Sequence, residues 1–131
     1  MRHVVLLLAA GVAAWFVIGA AHGAPSSEVG RELHGTVGPG FFISLVDEDG
    51  QPVESLRPGN YSLTVDDLSN RHNFHIFGPD LDVVVTQVPA VETVTVKIHL
   101  SHGAYTFQCD PHATNPLMHG SFDVGGVGQV E

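Results

Sequence analysis

Cys109 is the one cysteine of the chain, and His112, Met118 and His119 follow it within the stretch "CDPHATNPLMHG". A thiolate, an imidazole and a thioether in one short segment are soft donors suited to copper, whereas zinc more often recruits a second cysteine or a carboxylate. A turn led by Asp110-Pro111 can fold the His112 ring back beside the sulfur. A trigonal plane of one cysteine and two histidines, with a weak axial methionine, needs a second histidine from elsewhere. The segment "SNRHNFHIFGPD" offers two, His72 and His75. The bland alternative is an isolated structural cysteine, protected by burial alone.

Compartment decides how odd a lone thiol is. The chain opens "MRHVVLLLAAGVAAWFVIGAAHGAPSS", with an unbroken apolar run from Val4 to Ala21 followed by small residues and Pro25. That order is expected of a secretory signal peptide over residues 1–24, cleaved within Ala21–Ala24. The run over residues 4–21 also has the length to serve as an uncleaved membrane anchor. Either way the body, residues 25–131, is expected outside the cytoplasm, in the periplasm, the medium or at the cell surface. An unpaired thiol is exceptional there unless something protects it.

That body is one domain's worth of chain. It holds four basic residues, Arg31, Arg57, Arg71 and Lys97, against fourteen acidic ones, a net charge of −10 with histidines neutral. Such a surface repels phosphate backbones and anionic lipid, so nucleic acid is excluded as a partner class. It suits either solubility alone or steering toward a basic protein.

The elements that must position the donors read as strands. "VETVTVKIHL" sets Val94, Val96, Ile98 and Leu100 on one face and Thr93, Thr95, Lys97 and His99 on the other. "NYSLTV" does the same with Tyr61, Leu63 and Val65, and "FFISLVDEDG" closes on an Asp-Gly turn. "NFHIF", "DVVVTQV", "AYTFQC" and "SFDV" are shorter strands of the same kind. Seven or eight such strands in about a hundred residues imply an all-β antiparallel sandwich or barrel. In "GAYTFQC", Tyr105, Phe107 and Cys109 share a face that the aromatics mark as core. In "RHNFHIF", the same parity puts His72 with Phe74 and Ile76, and His75 on the opposite face. His99 should be solvated, and His34 and His102 sit near strand ends or turns without a partner at ligand spacing.

His72-Asn73, the aromatic strand leading into Cys109-x-x-His112, and Met118-x-Gly-x-Phe occur in that order. Together they make the chain, from about Gly35 to Val124, resemble the cupredoxins of the plastocyanin, amicyanin and pseudoazurin kind. The resemblance implies a Greek-key β-sandwich and one copper ion per chain, held by His72, Cys109, His112 and Met118. It implies that Asn73 ties its strand to the cysteine loop, and that His112 reaches the surface through an apolar patch. Five residues separate His112 from Met118, more than is usual in the family, so the extra length must bulge outward or else leave His119 as the rival axial donor.

The function so implied is one-electron transfer to and from a redox partner protein, by a monomer that is not an enzyme. Copper storage or delivery to another exported protein would use the same residues. A multi-domain copper oxidase or nitrite reductase would need additional His-x-His pairs, which the chain lacks. A metal-free interaction sandwich is the remaining reading.

Overall fold

The computed structural model describes residues 31–125; the expected signal segment, with its apolar run over 4–21, lies outside the described residues. No described helix is long and apolar enough to cross a membrane. In chain order the strands are β1 (Glu32–Val37), β2 (Ile43–Asp47), β3 (Ser55–Leu56), β4 (Gly59–Asp67), β5 (Phe74–Gly78), β6 (Leu81–Thr86), β7 (Glu92–Leu100), β8 (Gly103–Gln108) and β9 (His119–Val124). They form two sheets, ordered β2-β1-β4-β7 and β3-β9-β8-β5-β6.

Alternation accounts for the first sheet. Tyr61, Leu63 and Val65 of β4 are buried, and Ile98 and Leu100 of β7 join them while Thr93, Thr95, Lys97 and His99 stay exposed. The second sheet supplies Phe74, Ile76, Val85, Tyr105, Phe107, Phe122 and Val124 to the same core. Each fully buried side chain of this size contributes roughly 1.5–3 kcal/mol relative to an exposed one. Asp47 shapes the turn after β2, its carboxylate accepting the Asp49 and Gln51 N–H groups at 2.9 Å each, and Gly50 takes φ 79°.

The described residues hold nine strands, two beyond the seven segments read from the sequence, and the sandwich is not purely antiparallel. β1 runs parallel to β4, and the two-residue β3 runs parallel to β9. β1 escapes a sequence reading because Gly35 interrupts its alternation of Leu33 and Val37. A Cβ at Gly35 would lie 2.8 Å from the Phe74 ring, so the glycine lets the second sheet press its phenylalanine onto the β1 backbone.

β4 ends, and β5, β7 and β9 begin, at the same end of the sandwich. β2 starts there too, since the Ile43 N–H donates to the Leu117 carbonyl at 3.2 Å. The loops around residues 38–42, 68–73, 87–91 and 109–118 therefore cluster at that end.

Candidate metal centre

Cys109 follows directly on β8 and is fully buried, as the parity of Tyr105 and Phe107 implied. It caps a single 3-10 turn, Asp110–His112, in which Pro111 holds the backbone dihedral that the turn requires. The turn brings the His112 Nδ1 to 3.5 Å from the Cys109 sulfur. His72 Nδ1 lies 3.6 Å from the same sulfur and 3.2 Å from the His112 Nδ1. A point equidistant from all three donors sits about 2 Å from each, near the 2.0–2.3 Å of ordinary metal–nitrogen and metal–sulfur bonds. Two ring nitrogens turned toward each other and toward a thiol, with His72 and Cys109 buried and His112 half-buried, fit a shared cation. Among the described residues this is the cluster whose ligand atoms converge so closely.

His72 stands ahead of β5, not within it, so strand parity is not what orients it. His72, Asn73 and Phe74 are buried in succession, which no extended strand facing one core would do. A chain of side-chain hydrogen bonds shapes the segment instead. Asp67 accepts the Ser69 N–H at 3.2 Å, and the Ser69 hydroxyl accepts the Arg71 N–H at 3.1 Å. Burial pushes the Asp67 carboxyl up, partly offset by the Thr86 hydroxyl and the Ser69 N–H beside it. The Phe74 N–H then donates to the buried Thr86 hydroxyl at 2.9 Å.

Asn73 ties this segment to the cysteine loop from both sides of its amide. Its Nδ2 donates to the Asp110 carboxylate at 3.0 Å, and its Oδ1 accepts the Asp110 N–H at 2.8 Å. The Asp110 carboxyl would be raised by burial, yet the bonds it accepts from Gln108, Asn73 and His75 outweigh this and hold it below the ordinary carboxylate range. Burial pushes the Cys109 thiol up, partly offset by the N–H groups of Asn73 and His112. A bound cation would have to displace that proton.

The long interval between His112 and Met118 bulges outward. Asn115 N–H donates to His112 and Met118 N–H to Asn115, both at 2.9 Å, leaving Leu117 63% exposed at the tip. Past the bulge the chain rejoins β8 in antiparallel register, with Gln108 opposite His119 and the Cys109 N–H bonded to the Met118 carbonyl at 3.0 Å. Opposed residues share a sheet face. Met118 is therefore buried on the cysteine's side, while His119 is exposed on the other. The register holds because Gly120 lies against Phe107, where a Cβ would meet the ring at 2.4 Å, and Phe122 stacks on Tyr105 at 5.4 Å. This is the physical content of the Met-x-Gly-x-Phe pattern.

One contributor had no signal in the sequence. Phe41, half exposed, packs its ring 5.0 Å from His112 and 5.8 Å from His72, covering both imidazoles from the solvent side. Among the other described histidines, His34 pairs with Asp66 at 2.8 Å and His99 with Asn60 at 2.8 Å, both apart from the cluster.

Because a thioether donates weakly to Cu(II), Met118→Leu in copper-loaded protein is expected to keep the metal and raise the reduction potential. Voltammetry checks this, with His119→Ala expected to match the wild type. An unchanged potential in the first variant and a changed one in the second would reverse the assignment.

No protein-family model matches the chain, and no curated protein matches it. Among solved structures, a methionine-to-leucine variant of rusticyanin is 24% identical, aligning over 71% of this chain and 75% of its own, with a TM-score of 0.51. Reduced rusticyanin is likewise 24% identical over 71% and 77%, with a TM-score of 0.50. Rusticyanin from Thiobacillus ferrooxidans is 22% identical over 71% and 75%, also at 0.50. These likenesses bear out the fold that the sequence resemblance implied: the chain has the cupredoxin fold, and carries a His-Cys-His donor cluster, buried at His72 and Cys109 and half-buried at His112, at one end of its sandwich.

Proposed function

We propose that the chain is an exported one-electron carrier in which His72, Cys109 and His112, with the buried Met118 on the same side, would hold one copper ion. The observation that carries this is the convergence of one thiol and two imidazole nitrogens, all within 3.6 Å of one another. Rusticyanin, whose fold it shares, is described as a copper protein. Copper, when bound, supplies the change between Cu(II) and Cu(I) at a potential set by its donors.

The chain's own residues do the rest. The Asn73–Asp110 clamp, the Thr86 hydroxyl and the β8–β9 register hold the donors from three directions, so they have little freedom to rearrange as the charge changes. Six exposed apolar residues, Phe41, Phe42, Leu68, Val88, Val91 and Leu117, lie on the loops at the cluster's end. Acidic residues of the β2–β3 turn region, Asp47, Glu48, Asp49 and Glu54, lie at the other end. A redox protein with a basic rim would be drawn by the overall charge and docked on the apolar end, next to His112 and Phe41.

Two measurements test the reading. Copper-loaded protein cycled between oxidation states in the presence of a Cu(I) chelator should retain its metal; rapid loss of Cu(I) to the chelator would favour delivery over electron transfer. Leu117→Glu should slow electron exchange with a basic redox protein by roughly tenfold, the equivalent of about 1.4 kcal/mol of docking energy, without changing the potential. A rate unchanged by that substitution would remove the apolar end from the docking surface.

A further inference from the structure

His75 takes no place among the proposed metal donors, yet among the described histidines it is the one with a carboxylate at both ring nitrogens. Its side chain is 18% exposed, with Nδ1 at 2.8 Å from Asp110 Oδ1 and Nε2 at 2.5 Å from Asp82 Oδ1. A neutral imidazole has one donor and one lone pair, so it would turn that lone pair toward one of the two carboxylates. Only the imidazolium donates at both nitrogens. The geometry therefore calls for a proton on His75.

The surroundings agree. From β6 the ring faces Asp82 and is paired with Val84; from β8 it is paired with Gln108, whose amide donates to Asp110 at 2.9 Å. On its own strand the Phe77 ring lies 4.9 Å away. The charged groups facing it are thus the two carboxylates, Asp82 and Asp110. Burial alone would lower the ring's pKa, but the bonds to Asp82 and Asp110 outweigh it and hold the pKa above the ordinary histidine range. Asp110 is in turn the residue between Cys109 and Pro111 that Asn73 clamps.

We propose that His75 is a positioning residue for the metal loop, holding Asp110 through a donated proton, and that this proton is bound more tightly when the centre is reduced. The proposal rests on the copper reading above. A one-electron donor converts Cu(II) to Cu(I), and the centre loses one unit of positive charge. A nearby cation then costs less, so in molecules whose His75 is neutral the ring takes one proton from water. Linkage makes the effect reciprocal: protonated His75 favours the reduced centre. The reduction potential should be flat where His75 is protonated in both states, fall as pH rises through its titration, and level off above.

The test uses the full chain, copper-loaded, with potential followed against pH for wild type, His75→Gln and Asp82→Asn. Asp82 touches the ring and not the metal loop, so its replacement changes the proton affinity without moving donors. The wild type should show the fall, His75→Gln should lose it while retaining the visible absorption, and Asp82→Asn should move it about one pH unit lower. A merely structural His75 would shift the potential by the same amount at every pH. A pH-dependent step that survives in His75→Gln belongs to another group and overturns the proposal.

Proton NMR of the ring separates this from failure of the copper reading. In the metal-free chain His75 should titrate above the ordinary range, and lower in Asp82→Asn; an ordinary, unmoved titration overturns the clamp whatever metal is bound. If that clamp is seen but loaded protein has no reversible copper couple, the copper reading and the redox linkage both fall, and the positioning role stands.

Discussion

His72→Ala should abolish the centre, leaving at most a weak or altered copper complex, while His75→Ala keeps the visible absorption and binds copper within the 10–100-fold loss typical of removing an outer hydrogen-bonding partner. The contrast follows from position. The His72 Nδ1 closes a triangle whose other corners are the Cys109 sulfur and the His112 Nδ1, so its loss leaves two of the triangle's three donors and opens a void among buried residues. His75 points away from that triangle, onto Asp110 and Asp82. Copper titration of both variants, followed by absorption and by competition with a chelator, distinguishes them. Loss of the site in His75→Ala with retention in His72→Ala would transfer the role to His75.

Asn73→Ala should be the most damaging change that touches no metal donor. Both ends of its amide are used, and the Asp110 N–H and carboxylate would lose their partners together. Hydrogen bonds to a charged group contribute about 1.5–3 kcal/mol, and leaving the part-buried Asp110 N–H without its partner adds up to about 1 kcal/mol more. The expected loss of folding stability is therefore roughly 2–4 kcal/mol, with a broadened or shifted copper spectrum because the cysteine loop and the His72 segment are no longer held in register. Denaturant unfolding of metal-free and loaded protein reads the two effects separately. A variant as stable as wild type, with an identical spectrum, would show that the β8–β9 register and the Asp67–Ser69 turn suffice to place the donors.

Much of this was legible in the sequence because it rests on local pattern. The alternation of β4, β7 and β8 faces one core, and the parity that buried Tyr105, Phe107 and Cys109 held in the structure. The order of His72-Asn73, Cys109-x-x-His112 and Met118-x-Gly-x-Phe marked the residues that the fold brings to one end. His72 was placed on the right side by an argument that does not apply to it, since it lies in a turn built by Asp67 and Ser69. The parallel pairings of β1 with β4 and of β3 with β9 were hidden, because β1 is interrupted by Gly35 and β3 has two residues. The Phe41 cover and the Asp82–His75–Asp110 bridge depend on how distant strands align, and no spacing along the chain announces them.

The central claim is that Cys109 binds Cu(II) as a thiolate in a plane with two imidazoles. The most direct measurement is the visible absorption spectrum of the full chain loaded with one equivalent of Cu(II), beside that of Cys109→Ala. The account predicts an intense sulfur-to-copper charge-transfer band in the first and none in the second. A wild-type protein that binds copper stoichiometrically but shows only weak d–d absorption would contradict it.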